Sequence, residues 1–299
     1  MKICKFFAVL FGTALFASTH VNAVSVSTDP VGYVTIDLPA GANLVSVPLL
    51  GDVQYRGVAG SVVDASVSLS GLPGSISTPS YFHVLSGAAS GAVVSILASD
   101  ANSVTLESSI AGLAEGDDVR VVKHFTLSDV TSASADSIAD GSSVTMYDSD
   151  GTSRTYLSYT NKWYDASFAV ADNVLIFVGE GFVLNLQTAT TLTFTGGVNT
   201  EPVNVSMTSG AFSLIGSVNP TAASGSDSVG SALASSLADG STLTVYSEDG
   251  ALTIEGTYTC YSGVWYDASF TQTEISIASP SVAVVNPQNT IDVPLPEAY

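Results

Sequence analysis

Basic side chains are the scarcest feature of this 299-residue chain. Lysine and arginine together number 7, against 27 aspartate and glutamate residues, so the formal net charge is −20 at pH 7. A surface of this charge repels the phosphates of nucleic acid and the headgroups of an anionic membrane. The sequence therefore predicts no nucleic-acid partner. The acidity is typical of a protein that stays soluble in a salty exterior, and it also fits the binding of divalent cations.

Catalytic signatures are absent from the sequence. It contains no G-x-S-x-G, no H-E-x-x-H and no Gly-rich phosphate loop. Beyond the N-terminal segment only His83 and His124 remain, and the alternating pattern around each predicts a half-exposed strand position. Serine and aspartate are abundant, so a Ser-His-Asp set stays open. We expect a protein that is not an enzyme, with a hydrolase as the weaker alternative.

The first 23 residues have the pattern of a secretory signal peptide. Lys2 and Lys5 precede an apolar run over 6–17, and Val21-Asn22-Ala23 forms a small-residue cleavage site. This run is shorter than the roughly 20 apolar residues of a transmembrane helix. We predict a mature chain from about residue 24, with no transmembrane segment after cleavage. Its predicted location is secreted, extracellular or cell-surface, with the periplasm as the alternative.

Cysteine is nearly missing as well. Cys4 lies within the predicted signal peptide, so Cys260 alone remains in the mature chain. One cysteine excludes an intramolecular disulfide, although export would permit one. Charged residues make up only 11% of the chain, which leaves Ser, Thr and Gly to hydrate much of the surface. This composition is typical of exported β-proteins.

The strongest positive signal is an internal repeat. The hexapeptide WYDASF closes two related units, at 138–168 and 237–270, each of which begins with Ala-Asp-Gly after one apolar residue. In each unit an alternating strand leads to Asp-Gly, a hairpin signal, and a second strand leads to WYDASF. We predict a three-stranded meander in both units. We expect the units to superimpose, with the three extra residues of the second between Gly250 and Trp265.

The remaining patterns predict the domain organisation. Four short strands at 81–85, 92–98, 103–107 and 118–125 predict a small barrel, placed at about 78–127, while the Gly- and Ser-rich residues 55–74 suggest a long connection. Short helices are expected at 229–237 and near 133–138. The predicted fold is all-β, with two related β-sandwich-like modules. The first module, 24–197, carries the barrel as an insert, and the second, 198–299, repeats 129–197 and the strand at 43–50.

One candidate site is a calcium loop. Asp148 and Asp150 alternate before Gly151, as the first ligands of such a loop do, but its later ligands and closing glutamate are missing. A plain hairpin turn explains this segment in both units, whereas a metal site explains it in one. We expect no cofactor, with calcium as the alternative.

The second candidate site is aromatic. Alternation along an extended strand puts Tyr164, Ala166 and Phe168 on one face, which we interpret as core, and Trp163 with Asp165 on the other. The matching residues of the second unit are Trp265 and Asp267. Each Trp-Asp pair is either a platform that stacks on a sugar ring or a packing position covered by another sheet. Packing is the favoured interpretation, because strand tryptophans are mostly buried.

Several segments together resemble a family of exported β-rich proteins of environmental bacteria to which no activity is assigned. The segments are TDPVGYVTIDLPAGANLVSVPL, the SGAASG stretch, KHFTLSD, the ADG…WYDASF unit and GEGFVL. The SGAASG stretch is similar to a small barrel insert of phage tail and bacterial exported proteins. The resemblance implies a signal peptide and a β fold. In the second copy ASPSVAVV replaces GEGFVL, which leaves that copy's last hairpin open.

The sequence as a whole predicts a structural or adhesive component of the cell surface or extracellular matrix. This function rests on the duplicated β modules and the low charge, and thus on an analogy between folds. A carbohydrate-binding module is the alternative. Other surface proteins or a polysaccharide are the expected partners.

Overall fold

A computed structural model describes residues 30–74, 76–220, 228–247, 251–275, 277 and 281–296. The predicted signal peptide lies outside these ranges, and so does the predicted Asp249-Gly250 turn. The described chain consists of β-strands with two short helices, which confirms the all-β prediction. Within these residues no helix is both long enough and apolar enough to cross a membrane.

The first module and its barrel contain β1 to β15 and α1. In chain order these elements are β1 (Val31–Leu38), β2 (Gly41–Ser46), β3 (Val53–Val63), β4 (Ser66–Leu69), β5 (Ser80–Val84), β6 (Val93–Ser99), β7 (Ser103–Leu106), β8 (Asp118–Lys123), β9 (Phe125–Thr126), α1 (Leu127–Ala133), β10 (Ser143–Tyr147), β11 (Ser153–Tyr159), β12 (Lys162–Tyr164), β13 (Leu175–Ile176), β14 (Gly181–Leu186) and β15 (Thr190–Gly197).

The second module contains the remaining elements. They are β16 (Val203–Met207), β17 (Ser213–Gly216), α2 (Val229–Ser236), β18 (Thr242–Tyr246), β19 (Ile254–Tyr261), β20 (Val264–Tyr266), β21 (Gln272–Thr273), β22 (Val282–Asn286) and β23 (Ile291–Leu295).

Both modules are built on the same antiparallel sheet. The strand order is β12-β11-β10-β14-β2 in the first module and β20-β19-β18-β22-β17 in the second, where β21 adds an outer strand. A two-stranded sheet accompanies each, β1 with β15 and β16 with β23. The identical order confirms that the modules are related. It also settles the last hairpin of the second copy, because β22 pairs with β18 as β14 pairs with β10.

The repeat holds at the level of single residue pairs. Thr145 lies opposite Thr155 in the first module, and Thr244 lies opposite Thr257 in the second. Their hydroxyl oxygens are 2.9 and 3.3 Å apart, respectively. A register shift next to Tyr246 and a longer hairpin connection absorb the extra residues of the second copy, which confirms their predicted place.

Each module encloses its own apolar core between the large sheet, the small sheet and the helix. Ile36, Leu184 and Leu192 are buried in the first core, and Leu233 and Leu243 in the second. Alternation along the strands supplies these side chains, since every second residue of a half-buried strand faces inward. Full burial of one such side chain contributes about 1.5 to 3 kcal/mol.

The barrel is larger than the sequence predicted. It closes in the order β3-β4-β7-β6-β5-β8, and the four predicted strands are β5 to β8. The long connection predicted at 55–74 was wrong, because β3 and β4 occupy most of it. Glycines and a register shift between Ala59 and Val62 bend β3 around the barrel, and they also weaken its apolar pattern. The barrel strands therefore span 53–123 and not 78–127.

The helices were predicted with mixed success. The helix expected at 229–237 is α2, whereas the helix expected near 133–138 was wrong and α1 lies earlier. The Asp129 carboxylate accepts hydrogen bonds from the backbone N–H and the hydroxyl of Thr126, both at 2.8 Å. This capping starts the helix directly after β9.

Equivalent residues of the two modules meet each other at the contact between them. Ser46 pairs with Gly181 in the first module, and Gly216 pairs with Val282 in the second. A Cβ added to Gly216 would lie 2.2 Å from the Cβ of Ser46, and one added to Gly181 would lie 2.5 Å from Val282. Only residues close to a two-fold axis touch their own counterparts. The chain is therefore an internal dimer with approximate two-fold symmetry.

The hairpin tips obey the same symmetry. Gly151, at the tip of the β10–β11 hairpin, lies against Ala211 of the second module. A Cβ added to Gly151 would be 3.2 Å from the Cβ of Ala211. In the other direction Ala251, beyond β18, forms a bridge with Ala42 at the start of β2. The described connections after β10 and β18 thus each contact the other module, and the opposite ends of β11 and β19 lie away from this contact.

The barrel is fastened to the segment that joins the modules. Arg120 is fully buried, and its Nε donates to His83 Nδ1 at 3.0 Å while a terminal nitrogen donates to Asn199 Oδ1 at 2.5 Å. His83 Nε2 donates to the Pro202 carbonyl at 2.8 Å, and Arg56 forms an ion pair with Glu201 at 3.0 Å. The barrel therefore orders the connection between the two copies.

Gly216→Ala should destabilise the protein by about 1 to 3 kcal/mol, because the new methyl group overpacks the module contact at Ser46. Urea or thermal unfolding measures this change. Gly197→Ala is the matched control, since its added Cβ meets Leu50 only at 3.6 Å. Adding Ser46→Gly to Gly216→Ala should recover part of the loss. Equal stability of Gly216→Ala and Gly197→Ala would disprove this tight contact between the modules.

Candidate functional site

The two tryptophans of the WYDASF repeat are core residues. Trp163 is 0% exposed and Trp265 is 2% exposed. The indole N–H of Trp163 donates to the Leu127 carbonyl in α1 at 2.7 Å, and that of Trp265 donates to the Gly230 carbonyl in α2 at 2.8 Å. The sugar-platform interpretation of these tryptophans is therefore wrong, and packing beneath a helix is confirmed.

The face predicted as core is the exposed one. The strand ends at Tyr164, so alternation does not continue through the hexapeptide, and the chain turns at Asp165. The Phe168 N–H donates to the Asp165 carbonyl at 2.9 Å, and Phe168 adopts φ +63°. Phe270 repeats this conformation at φ +61°. The turn swings both phenylalanines into solvent, where they are 61% and 68% exposed.

The two repeat aspartates hold this turn. Asp165 Oδ1 accepts from the Ser167 N–H at 2.9 Å, the Ser167 hydroxyl at 2.7 Å and the Ala169 N–H at 2.9 Å. Hydrogen bonds from Ser167 and Ala169 lower the pKa of Asp165 below its usual value. Asp267 accepts from the N–H groups of Ser269 and Thr271 in the same way. Asp165 and Asp267 thus position the phenylalanines, and their predicted role as sugar partners of the tryptophans was wrong.

An exposed phenylalanine at positive φ is costly. Bulky side chains avoid the left-handed region, and such a residue persists only where its surroundings enforce it. Here the same strained residue occurs twice, on the surface, held by the same aspartate turn. Packing does not explain it, because the rings are mostly in solvent. Strain maintained at a duplicated surface position points to a function.

The phenylalanines belong to two aromatic patches. Patch one is made of Leu157, Tyr159, Tyr164, Phe168 and Val170. The rings of Phe168 and Tyr164 stack at 4.8 Å with an interplanar angle of 20°, and Tyr159 lies 6.4 Å from Phe168. Leu157 pairs with Tyr164, which in turn bridges to Val170, so all five side chains share one face.

Patch two repeats the aromatic part of patch one. It is made of Thr259, Tyr261, Tyr266, Phe270 and Gln272. Phe270 stacks on Tyr266 at 4.9 Å and 23°, with Tyr261 at 5.5 Å. Thr259 and Gln272 stand where patch one has leucine and valine, and both pair with Tyr266. The three rings are therefore kept in both copies, while the aliphatic flanks are not.

The other retained motif supports the same surface. Thr160-Asn161 and Ser262-Gly263 form the tight turns that join the two strands of each patch, all at positive φ. The carboxylate of Asp140, in the first Ala-Asp-Gly, accepts from the Thr160 N–H at 2.7 Å. Asp239 does the same for Ser262 at 2.7 Å. Both repeated sequence motifs thus build one structural unit around each patch.

The patches lie at the two ends of the internal dimer. In each sheet order the patch strands, β11 with β12 and β19 with β20, occupy the edge opposite the strand that contacts the other module. Within β11, Tyr159 is at the end remote from the hairpin tip that reaches the other module. The two patches therefore lie at opposite edges of the internal dimer.

The two calcium candidates, Asp148 and Asp150, each interact with other residues of their own hairpin. The Asp148 carboxylate is paired with Arg154. Asp150 Oδ1 accepts from the Thr152 N–H at 2.8 Å, and this bond lowers the pKa of Asp150. The described part of the chain contains no group of three or more His, Cys, Asp or Glu residues placed to hold a metal ion. Asp148 and Asp150 therefore form a hairpin turn, and the structure gives calcium no support at this position.

The histidines are buried and not half-exposed, so this prediction was wrong. His83 faces the connection between the modules, and His124 lies between the rings of Tyr81 and Phe177 at 4.8 and 4.9 Å. Burial lowers the pKa of His83 to about 3, with Arg120 adding to the fall, and burial lowers that of His124 to about 4. His83 accepts from Arg120 and donates to a carbonyl, which suits a structural contact and not a general base.

Cys260 takes the position of Ser158 in the first module. Both are buried opposite the repeat tryptophan, and the Cys260 thiol lies 3.4 Å from the Ala234 carbonyl. Burial raises the pKa of this thiol. A buried, protonated thiol is a poor nucleophile, so Cys260 acts as a small packing residue.

A cleft between the two modules and the barrel contains an unusual carboxyl group. It has a volume of about 270 Å³, and Val93, Asp148, Arg154, Glu180 and Asn204 are among its lining residues. Burial raises the pKa of Glu180 to about 7, the Asp148 carboxylate adds to the rise, and Arg154 opposes it. The module contact thus holds a glutamate that ionises at a higher pH than an exposed glutamate does.

Trp163→Ala and Trp265→Ala should each destabilise the protein by about 3 to 5 kcal/mol, because each removes a buried indole. Phe168→Gly and Phe270→Gly should leave stability within about 1 kcal/mol of the original or raise it, since glycine relieves the positive φ and little buried surface is lost. Thermal unfolding of the four variants compares these effects. A large loss of stability in the glycine variants would show that the phenylalanines serve the fold.

Relative to the original chain, the variant Glu180→Gln should be more stable at pH 8 than it is at pH 5. The folded state raises this pKa from 4.5, so the stability that the carboxyl contributes is full below about pH 4.5 and is lost as pH rises through about 7. The difference in melting temperature, variant minus original, should therefore grow by at least about 2 °C between pH 5 and 8. His83 and His124 titrate equally in both chains and cancel. A difference independent of pH would contradict the raised pKa.

Comparisons of the chain with models of protein families, with curated proteins and with solved structures gave no match. The similarity to exported β-rich proteins therefore stays a prediction from the sequence. The duplicated, exposed patches are the feature of the molecule that indicates a binding role.

Proposed function

We propose that this protein is a non-enzymatic, exported adhesive component of the cell surface or extracellular matrix, and that it holds its partners through the two aromatic patches. The observation that carries the proposal is the duplicated, strained and exposed phenylalanine on a stacked tyrosine. A chain under no such demand would place glycine or asparagine at this position of the turn.

The size of the patches supports a binding role. Five neighbouring side chains in patch one expose on the order of 400 Å² of apolar surface, within the range in which the largest patch of a soluble monomer is often functional. Aromatic side chains are also enriched where proteins bind other molecules, because they offer a large contact area at a small cost in conformational entropy.

The arrangement of the patches supports adhesion rather than simple capture. Two equivalent patches at opposite edges of the internal dimer give one molecule two separate contacts. Such a molecule bridges two polymer chains or two surfaces, and on a surface with many ligands the second contact becomes intramolecular. Avidity then exceeds the affinity of either patch by about 10² to 10⁴. An adhesive component needs this property.

The proposal is tested by following the protein in the cells that produce it. At least about 90% of the double variant Phe168→Gly/Phe270→Gly should leave the surface or matrix fraction and appear in the medium, because both contacts are removed. Each single variant should fall in between. Fractionation of medium, surface and cell interior with an antibody gives the readout.

Leu97→Ser is the matched control. Leu97 lies on the barrel and is 63% exposed, close to the 61% of Phe168. The substitution therefore removes a similarly exposed apolar side chain outside the patches. It should leave retention unchanged. Normal retention of the double variant, equal loss with Leu97→Ser, or protein confined to the cell interior would each refute the proposal.

A further inference from the structure

We propose that the ligand of both patches is an uncharged polysaccharide, whose sugar rings lie against the exposed faces of Phe168 and Phe270, and that patch one binds it more tightly than patch two. This inference rests on the proposed function and names the class of ligand that its surfaces take.

The area of each patch argues against a folded protein as the partner. A stable protein interface buries about 800 Å² on each side, about twice what one patch offers. Pairing with a second copy of this chain would meet the same limit. A polymer that repeats the same ring many times does not need a large single contact, because it adds weak contacts along its length. The small, duplicated patch fits that kind of ligand.

The charge of the chain argues that this polymer is uncharged. The net charge is −20, and acidic residues lie around the patches: Asp140 and Asp165 near patch one, and Asp239, Asp267 and Glu274 near patch two. An anionic polymer would be repelled by this field. Lys162, on the strand next to Tyr159, leaves patch one less acidic than patch two, where Val264 takes its place. The positive charge of Lys162, directly opposite Tyr159, disfavours a cationic polymer at patch one.

The chemistry of the patches fits a sugar ring. Phe168 and Phe270 each have one face covered by the stacked tyrosine and the other turned to solvent. The C–H face of a pyranose ring packs on such an open aromatic face, in the manner of weak C–H contacts to aromatic rings. Tyr159 and Tyr261 stand beside the phenylalanines, and a phenol hydroxyl both donates and accepts hydrogen bonds, as sugar hydroxyls require.

The difference between the copies sets their order of affinity. Patch one flanks its rings with Leu157 and Val170, which are 40% and 57% exposed, whereas patch two has Thr259 and Gln272. Val264 of patch two, in the place of Lys162, offsets only part of this difference, because it is half-buried. Covering the larger apolar area releases more surface from water. Patch one should therefore bind the same polymer more tightly.

The test uses the purified mature chain and a panel of polymers: two neutral glucans, a neutral mannan, chitosan and alginate. Binding is measured by affinity electrophoresis and isothermal titration, at 0.1 and 0.5 M NaCl. We expect binding to at least one neutral polymer that survives 0.5 M NaCl, since uncharged contacts are little screened. The variant Phe168→Gly/Phe270→Gly should lose this binding at least tenfold, and Leu97→Ser should keep it.

A chain with a single working patch separates the two copies. Phe270→Gly leaves patch one and Phe168→Gly leaves patch two, and the first should bind about tenfold more tightly. Adding Leu157→Thr/Lys162→Val/Val170→Gln to Phe270→Gly gives patch one the flanking residues of patch two, and its affinity should fall to that of Phe168→Gly. Equal affinities of the two patches would overturn the predicted order.

The remaining outcomes distinguish this inference from the proposed function. Binding to no neutral polymer, binding only to chitosan or alginate, or a dimer in sedimentation that the double variant abolishes would each overturn the inference. If the double variant is still lost from the cell surface in that case, the adhesive function stands with another partner. If a neutral polymer binds but retention on cells is unchanged, the adhesive function fails and the ligand class stands.

Discussion

The burial of one tryptophan in each module determines the surface on which the functional argument depends. Trp163 and Trp265 point into their cores and donate their indole N–H to a helix carbonyl. Because neighbouring strand residues face opposite ways, each buried tryptophan directs the following tyrosine outward. The aspartate turn then ends the strand and lays phenylalanine over that tyrosine. An inward anchor and an outward aromatic stack are thus two consequences of the same six residues.

The approximate two-fold axis turns this local unit into a bivalent molecule. At the axis the backbones approach so closely that Gly181 and Gly216 leave no room for a side chain, and Gly151 and Ala251 each contact the other module. These contacts fix the modules relative to one another, and the barrel adds the anchor at Arg120 and His83. These contacts hold the patches apart at the far edges, which favours bridging over wrapping around one short ligand.

Much of the fold was predictable from the sequence because its signals are local. Alternating strands, the hairpin signals and the duplication of WYDASF led to an all-β chain of two related modules. The strands β3 and β4 were missed, since their small residues hide the apolar alternation and only closure of the barrel reveals their partners. Helix α1 was misplaced for a similar reason: its start depends on the bond between Asp129 and Thr126 and not on a periodic pattern.

The candidate site was located in the right hexapeptide but on the wrong side chains. Alternation was extended through Asp165, where the strand has already ended, and this error exchanged the buried and exposed faces for Phe168. An Asp followed by Ser two residues later is a turn signal, and in both copies it would have placed the phenylalanine outside the strand. The raised pKa of Glu180 had no signal in the sequence, because its burial comes from contact between distant segments.

The most direct measurement of the central claim is an NMR titration of the whole chain with oligosaccharides of a neutral glucan or mannan. The chain has two tryptophans, so two indole N–H signals report on the cores, while labelled phenylalanine and tyrosine rings report on the patches. We predict that the ring signals of Phe168, Tyr164, Phe270 and Tyr266 shift with added ligand and that both indole signals stay in place. Shifts of the indole or barrel signals with unchanged patch signals would contradict the account.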